Sequence, residues 1–401
     1  MGNRTVAVVA SAALLAAGCA PAPHLPPGQT PAGPASVAVA GTTVGSPSPT
    51  VEPQPSVTSC RSLAEGLDDR TRVGQLFMVG VSTAGLDETT RSAIALGRVG
   101  SVVLLGNTTS GIGAVRDLTA ELGSLGTAEL PLLIAVDQEG GQVQRLRGEG
   151  FDRIPPATEQ GEMAAGELRE ASLRWGEQLG GAGVHYNLAP VADVVPVAKQ
   201  GTNAPIGQLS RNYGNDVDAV SRSVVEFVEG MTQAGIATSL KHFPGLGEVD
   251  ANTDFDAAVD HDTTVDSPSL ASFRAGIDAG AGSVMVSSAV FSQIDPDVEG
   301  VFSRAVITDL LRADLGFDGV VIADDLGAAR AVAGVAPKDR GVRFLAAGGD
   351  LVINADPRLM AAMIDATAAE ADADATFAGQ VLDSAERVLR LKASVGLVDC
   401  G

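Results

Sequence analysis

Eight short apolar runs recur between residues 74 and 355, separated by polar, helix-forming stretches. They are GQLFMVGV (74–81), SVVLLG (101–106), LLIAVD (132–137), VHYNLAPVADV (184–194), ATSLKHF (237–243), SVMVSSAV (283–290), GVVIADDL (319–326) and LVINA (351–355). Most are continuously apolar instead of alternating, as parallel strands are when helices cover their outer face. The segments between them, such as DVDAVSRSVVEFVEGMTQAG and SRAVITDLLRADLG, are rich in Ala, Leu, Glu and Arg, and several close on a glycine that stops a helix just before the next run. Eight such repeats predict an α/β fold of the (β/α)8 TIM-barrel type. A doubly wound open sheet is the alternative, but no GxGxxG follows the first run to support it. The last stretch, 356–394, is long enough for two helices against the outside of the barrel.

Ahead of the first run the pattern disappears. Arg4 precedes VAVVASAALLAAGC (6–19), which is too short and small-sided for a membrane span and suits a secretory apolar region. Its end, AAGC, resembles a bacterial lipoprotein processing site. The expectation is a lipoprotein signal peptide over 1–18 and a lipid on Cys19, which anchors the chain at the outer face of the cell membrane, or leaves it in the cell envelope once released. Residues 19–59 are dominated by Pro, Ser, Thr and Gly without a period, the composition of a tether. The barrel domain then occupies 60–401. Its first and last segments hold Cys60 and Cys400, which in an exported protein point to one disulfide clasping the ends, with two separate thiols as the alternative.

A net charge of -22 leaves no basic stretch to neutralise phosphates, which excludes non-specific nucleic-acid binding. Aromatic residues make up 3% of the chain, with Trp175 the single tryptophan, so a small pocket fits better than a long stacking cleft for polymer. A monomer is expected.

Polar side chains collect at the C-terminal ends of the runs: Asp137 on the third, Asp193 on the fourth, Lys241 and His242 on the fifth, Asp324 and Asp325 on the seventh. Inside a barrel wall such groups are costly without partners. At the C-terminal face they converge where barrels of this type carry out chemistry. Any one of them could cap a loop or form a salt bridge, but four strand ends together point to an enzyme.

At these residues the sequence resembles the family 3 glycoside hydrolases, in their single-domain β-N-acetylhexosaminidase branch. The stretches that carry the likeness are AVDQEGGQVQRL (135–146), LAPVADV (188–194), SRNYGNDVDAV (210–220), KHFPG (241–245) and GFDGVVIADDL (316–326). The resemblance implies retaining hydrolysis of terminal β-linked N-acetylglucosamine from glycans or muropeptides, with no metal and no organic cofactor. It implies Asp324 as nucleophile, and Asp137, Arg145, Arg211, Lys241 and His242 as substrate-binding residues. Asp193 reads as structural, and Gly140 and Gly141 as the tight turn after strand three. Arg145 and Arg211 could equally pair with carboxylates of the barrel mouth. Asp325, beside Asp324, should point away from the pocket if the strand alternation holds.

The likeness breaks within KHFPGLGEVDANTDFD (241–256). The family pattern there runs K-H-F-P-G-H-G and, after four residues, D-S-H, whose histidine is the general acid/base. Here Leu246 stands in place of the second histidine of K-H-F-P-G-H-G, and counting on places Asn252, Thr253 and Asp254 at D-S-H. Three readings follow. Asp254 serves as acid/base in a two-carboxylate mechanism; or Glu248, Asp250 or Asp256 reaches in from the same loop; or the acid is lost, leaving a glycan-binding or impaired protein on a hydrolase fold. A different sugar specificity also stays open. His261, seven residues beyond Asp254, reads as a surface residue.

Overall fold

The computed structural model describes residues 59–400. The signal-like run, Cys19 and nearly all of the tether lie outside the described residues. The eight runs form eight parallel strands: β1 (Phe77–Ser82), β2 (Ser101–Leu105), β3 (Leu133–Val136), β4 (Tyr186–Asn187), β5 (Ala237–Phe243), β6 (Ser283–Val286), β7 (Val320–Ala323) and β8 (Val352–Asn354). Their order around the sheet is the chain order, with β8 beside β1. A bridge between Ile322 and Leu351 brings β7 to the β8 side and closes the barrel.

The continuous apolar character of the runs has the expected cause. All seven residues of β5 and all four of β3, β6 and β7 are buried, because side chains on one face fill the barrel and those on the other meet helices. The helix Val217–Gln233 shows how the outer layer is specified. Asp216 caps it by accepting from the Ala219 amide, and it buries Val220, Val224, Phe227, Val228 and Met231, a stripe of helical period. Gly235, at a φ of 76°, then turns the chain into β5. The final stretch divides into Met360–Ala373 and Ala375–Ser394, as expected. Cys60 and Cys400 are bonded, with Cα atoms 4.8 Å apart, so the clasp forms.

Three details depart from the sequence reading. The run 184–194 yields only the two-residue β4, because Pro190 has no N–H to offer a ladder. The chain still follows β5 through the Ala192 amide, 2.7 Å from the Lys241 carbonyl, so Asp193 sits on an irregular segment beyond the strand. Strand β7 stops at Ala323, which places Asp324 and Asp325 past the reach of strict alternation. The segment Ala305–Asp314 is a wide π-helix instead of an α-helix. Among the described residues, no helix is long and apolar enough to cross a membrane.

Candidate active site

A cavity of about 390 Å³ opens at the C-terminal ends of the strands. Asp137, Arg145, Arg211, Lys241, His242, Asp254 and Asp324 all line it, so every residue singled out for catalysis or substrate binding meets in one place.

One wall is a continuous ionic network. The Lys241 ammonium lies 2.6 Å from Asp137 and 2.6 Å from Glu139, and Arg211 clasps Glu139 with Nε at 2.9 Å and Nη2 at 2.8 Å. Burial pushes the Glu139 carboxyl up, but Arg211 and Lys241 outweigh it and hold the group far below the usual carboxylate range. Burial likewise disfavours the Lys241 charge, and Asp137 and Glu139 reverse this and raise its pKa. Two successive residues of β5 reach the site because a bulge interrupts the β5–β6 register between Lys241 and Phe243. His242 presents Nδ1 to Asp193 at 2.8 Å and Nε2 to Arg211 at 3.5 Å. Asp193 also accepts the His242 and Leu246 amides at 3.1 and 2.8 Å, so it orients the imidazole and anchors the loop after β5. Its structural role fits the sequence expectation.

Glu139 was not among the residues picked from sequence, although it joins Arg211 to Lys241. The only available signal was a carboxylate two positions beyond Asp137 and directly before two glycines. Gly140 explains the inward turn. It has a φ of 112°, and a Cβ there would lie 2.3 Å from the Pro155 carbonyl oxygen, so the hairpin Gln138–Gly140/Val143–Gln144 folds back only with glycine. Arg145, from the same hairpin, faces the cavity with a 3.4 Å contact to Asn107, while its Nε is buried without a partner.

The opposite wall carries carboxylates without cations. Asp324 is tied to the Val286 carbonyl through its own amide and accepts the Asp325 amide at 2.8 Å. Burial raises its carboxyl from the ordinary 3.8 to about 6, with the negative charge of Asp254 adding to the rise and His242 opposing it. Asp325 also borders the cavity, but its oxygens are taken by the Gly327, Ala328 and Ala355 amides, each at 2.8 Å. It fastens the turn after β7.

The loop after β5 sorts its four candidate carboxylates. Asp250 pairs with Lys199 at 3.3 Å. Glu248 lines a separate cavity beside Asp262 and Ser267. Asp256 accepts the adjacent Ala257 amide and does not border the Asp324 cavity. Only Asp254 does. Asn252, at the position of the aspartate in D-S-H, accepts the Asp254 amide through its side chain at 3.0 Å and takes the Phe255 and Asp256 amides on its carbonyl. Its work is to shape the turn. Leu246 is buried with Val191, Val195, Ile206, Val249 and Phe291 and packs the base of the loop. Main-chain bonds from Arg330 to the Asp254 carbonyl and from Ala331 to the Thr253 carbonyl, both 3.2 Å, tie the loop to the one after β7. His261 lies at the surface against Ser292, as expected. No group of three or more His, Cys, Asp or Glu among the described residues could hold a metal ion.

The glycosyl hydrolase family 3 N terminal domain matches residues 69–391. A β-hexosaminidase of Stenotrophomonas maltophilia (strain R551-3) is 37% identical over 256 residues, which cover 61% of this chain and 73% of the relative. One from Xylella fastidiosa (strain M23) is 37% identical over 265 residues, 63% of this chain and 76% of the relative. Among solved structures, the β-N-acetylhexosaminidase of Beutenbergia cavernae DSM 12333 has a TM-score of 0.80 at 46% identity, covering 82% of this chain and 99% of that one.

Proposed function

We propose that this chain, which belongs to glycosyl hydrolase family 3, is a retaining exo-β-glycosidase that releases terminal β-linked N-acetylglucosamine from short glycans or muropeptides. The relatives named as β-hexosaminidases support the sugar. The lipoprotein reading of Cys19 adds that it works at the cell envelope. The observation that carries the mechanism is that Asp254 is the one carboxylate of the rewritten loop to share the cavity with Asp324.

In this reading Asp137, Lys241, Arg211, Arg145 and His242 hold the sugar by its hydroxyl and acetamido oxygens. The Asp324 carboxylate attacks the anomeric carbon as the glycosidic bond breaks, and Asp254 gives its proton to the departing oxygen. Water then attacks the same carbon, Asp254 takes a proton from it, and the bond to Asp324 is released. The burial of Asp324 strengthens its interaction with the positive charge that develops on the sugar ring.

The test uses leaving groups. Asp254→Ala should lower kcat/KM on N,N′-diacetylchitobiose by about 100-fold or more, but far less on a 2,4-dinitrophenyl glycoside, whose departure needs little proton transfer. Added azide should yield the β-glycosyl azide. Equal losses on both substrates, with no azide product, would overturn the role of Asp254.

A further inference from the structure

Phe255 is the residue after Asp254 and borders the same cavity. It is 79% exposed. Every other phenylalanine, tyrosine and tryptophan among the described residues is buried or half-buried, and the other large exposed apolar residues, Leu96, Val197, Val259 and Val265, do not border this cavity. An isolated exposed apolar side chain needs no explanation in itself; its position does. The ring is carried on a fixed turn, because the Phe255 and Asp256 amides bond the Asn252 carbonyl at 3.0 and 2.9 Å, and Asp254 is tied to Arg330. It is the only phenylalanine, tyrosine or tryptophan in the lining.

We propose that Phe255 is the platform on which the leaving sugar ring lies, so that the site selects glycans in which the group beyond the cleaved bond is itself a pyranose. The inference rests on the reading of Asp254 as the acid. An acid must stand beside the departing oxygen, the adjacent Cα is only about 3.8 Å further along the chain, and Phe255 borders the cavity as well; the proposal places it on the leaving-group side. The Asp137–Lys241–Arg211 wall is polar and takes the sugar being released. The C–H face of the next ring meets the phenyl face, an apolar contact that a pre-positioned aromatic makes at little entropic cost. A single ring serves one sugar, which fits short substrates.

The experiment compares N,N′-diacetylchitobiose with N-acetylglucosaminyl β-fluoride, whose leaving group has no ring. Phe255→Ala should reduce kcat/KM on the disaccharide about tenfold more than on the fluoride, mostly through KM, and Phe255→Trp should restore most of the difference. Equal losses on the two substrates, or no loss on either, overturn the platform. Calorimetric binding of the disaccharide to D324N and to D324N/F255A separates this inference from the activity. About tenfold weaker binding in the double variant, with wild type cleaving neither substrate, would reject the hydrolase reading and keep the platform. Unchanged affinity rejects the platform whatever the turnover, and absence of disaccharide binding to D324N, with wild type cleaving neither substrate, rejects both.

Discussion

The two walls of the cavity use charge in opposite ways. On the β3–β5 side, Asp137, Glu139, Arg211 and Lys241 neutralise one another within 2.9 Å, and Asp193 holds His242. On the side of the β5 and β7 loops, neither Asp324 nor Asp254 has a salt bridge, and the pair repel. The first wall is a scaffold, since removing any one partner strands another buried charge. In the proposed mechanism the second keeps the Asp324 charge free for a substrate that becomes cationic during reaction. Stability should therefore respond in opposite senses to mutations on the two walls.

The strongest test of that contrast is Asp324→Asn. Turnover should fall by about 10⁴-fold or more, as for loss of a nucleophile. Stability should rise. A carboxyl whose folded pKa lies at about 6, above its ordinary 3.8, costs nothing at low pH, and stability is lost as pH rises through that window. Asn should regain roughly 2–3 kcal/mol at pH 7 and nothing below about pH 4. Thermal melts from pH 4 to 8 check this, and a variant less stable than wild type at pH 7 would break the comparison.

Glu139→Ala should act the other way. It leaves Arg211 without its carboxylate partner and Lys241 with Asp137 alone, and should cost about 3–5 kcal/mol in urea unfolding. A loss below about 1 kcal/mol would mean that the paired wall is not a scaffold.

Asp254→Asn should give the smallest change, read on an activated aryl glycoside. Removing its charge lowers the Asp324 pKa, so the acidic limb of kcat/KM should move to lower pH. An unmoved limb would mean that the two carboxylates do not sense each other.

Much of this architecture was legible because it depends on local pattern. The run 237–243 coincides with β5, and the other runs differ from their strands mainly at the ends. Pro190 accounts for the largest discrepancy, the truncation of β4. Side chains at strand ends were found for the same reason, as polar residues closing apolar runs. Glu139 was not, because its role depends on a hairpin turning back, and nothing in DQEGG states where the turn will aim. Counting through the loop reached Asp254, but its three rival carboxylates could be set aside only once Lys199, the separate cavity and the Ala257 amide were located in space. Long-range partners are what a one-dimensional pattern lacks.

The bonds from Arg330 and Ala331 to the carbonyls of Asp254 and Thr253 have a consequence for how such a site changes over time. Both are main-chain to main-chain, so the loop keeps its place whatever side chain residue 254 carries. On the proposed roles of Asp254 and Asp324, the acid position is thus insulated from its own sequence, and an imidazole or a carboxylate at 254 would leave the loop in the same place relative to the nucleophile. The constraint falls instead on residues 330 and 331, where only proline, which lacks the N–H, would be forbidden on this account. Insertions in either loop should be tolerated only with a matching change in the other.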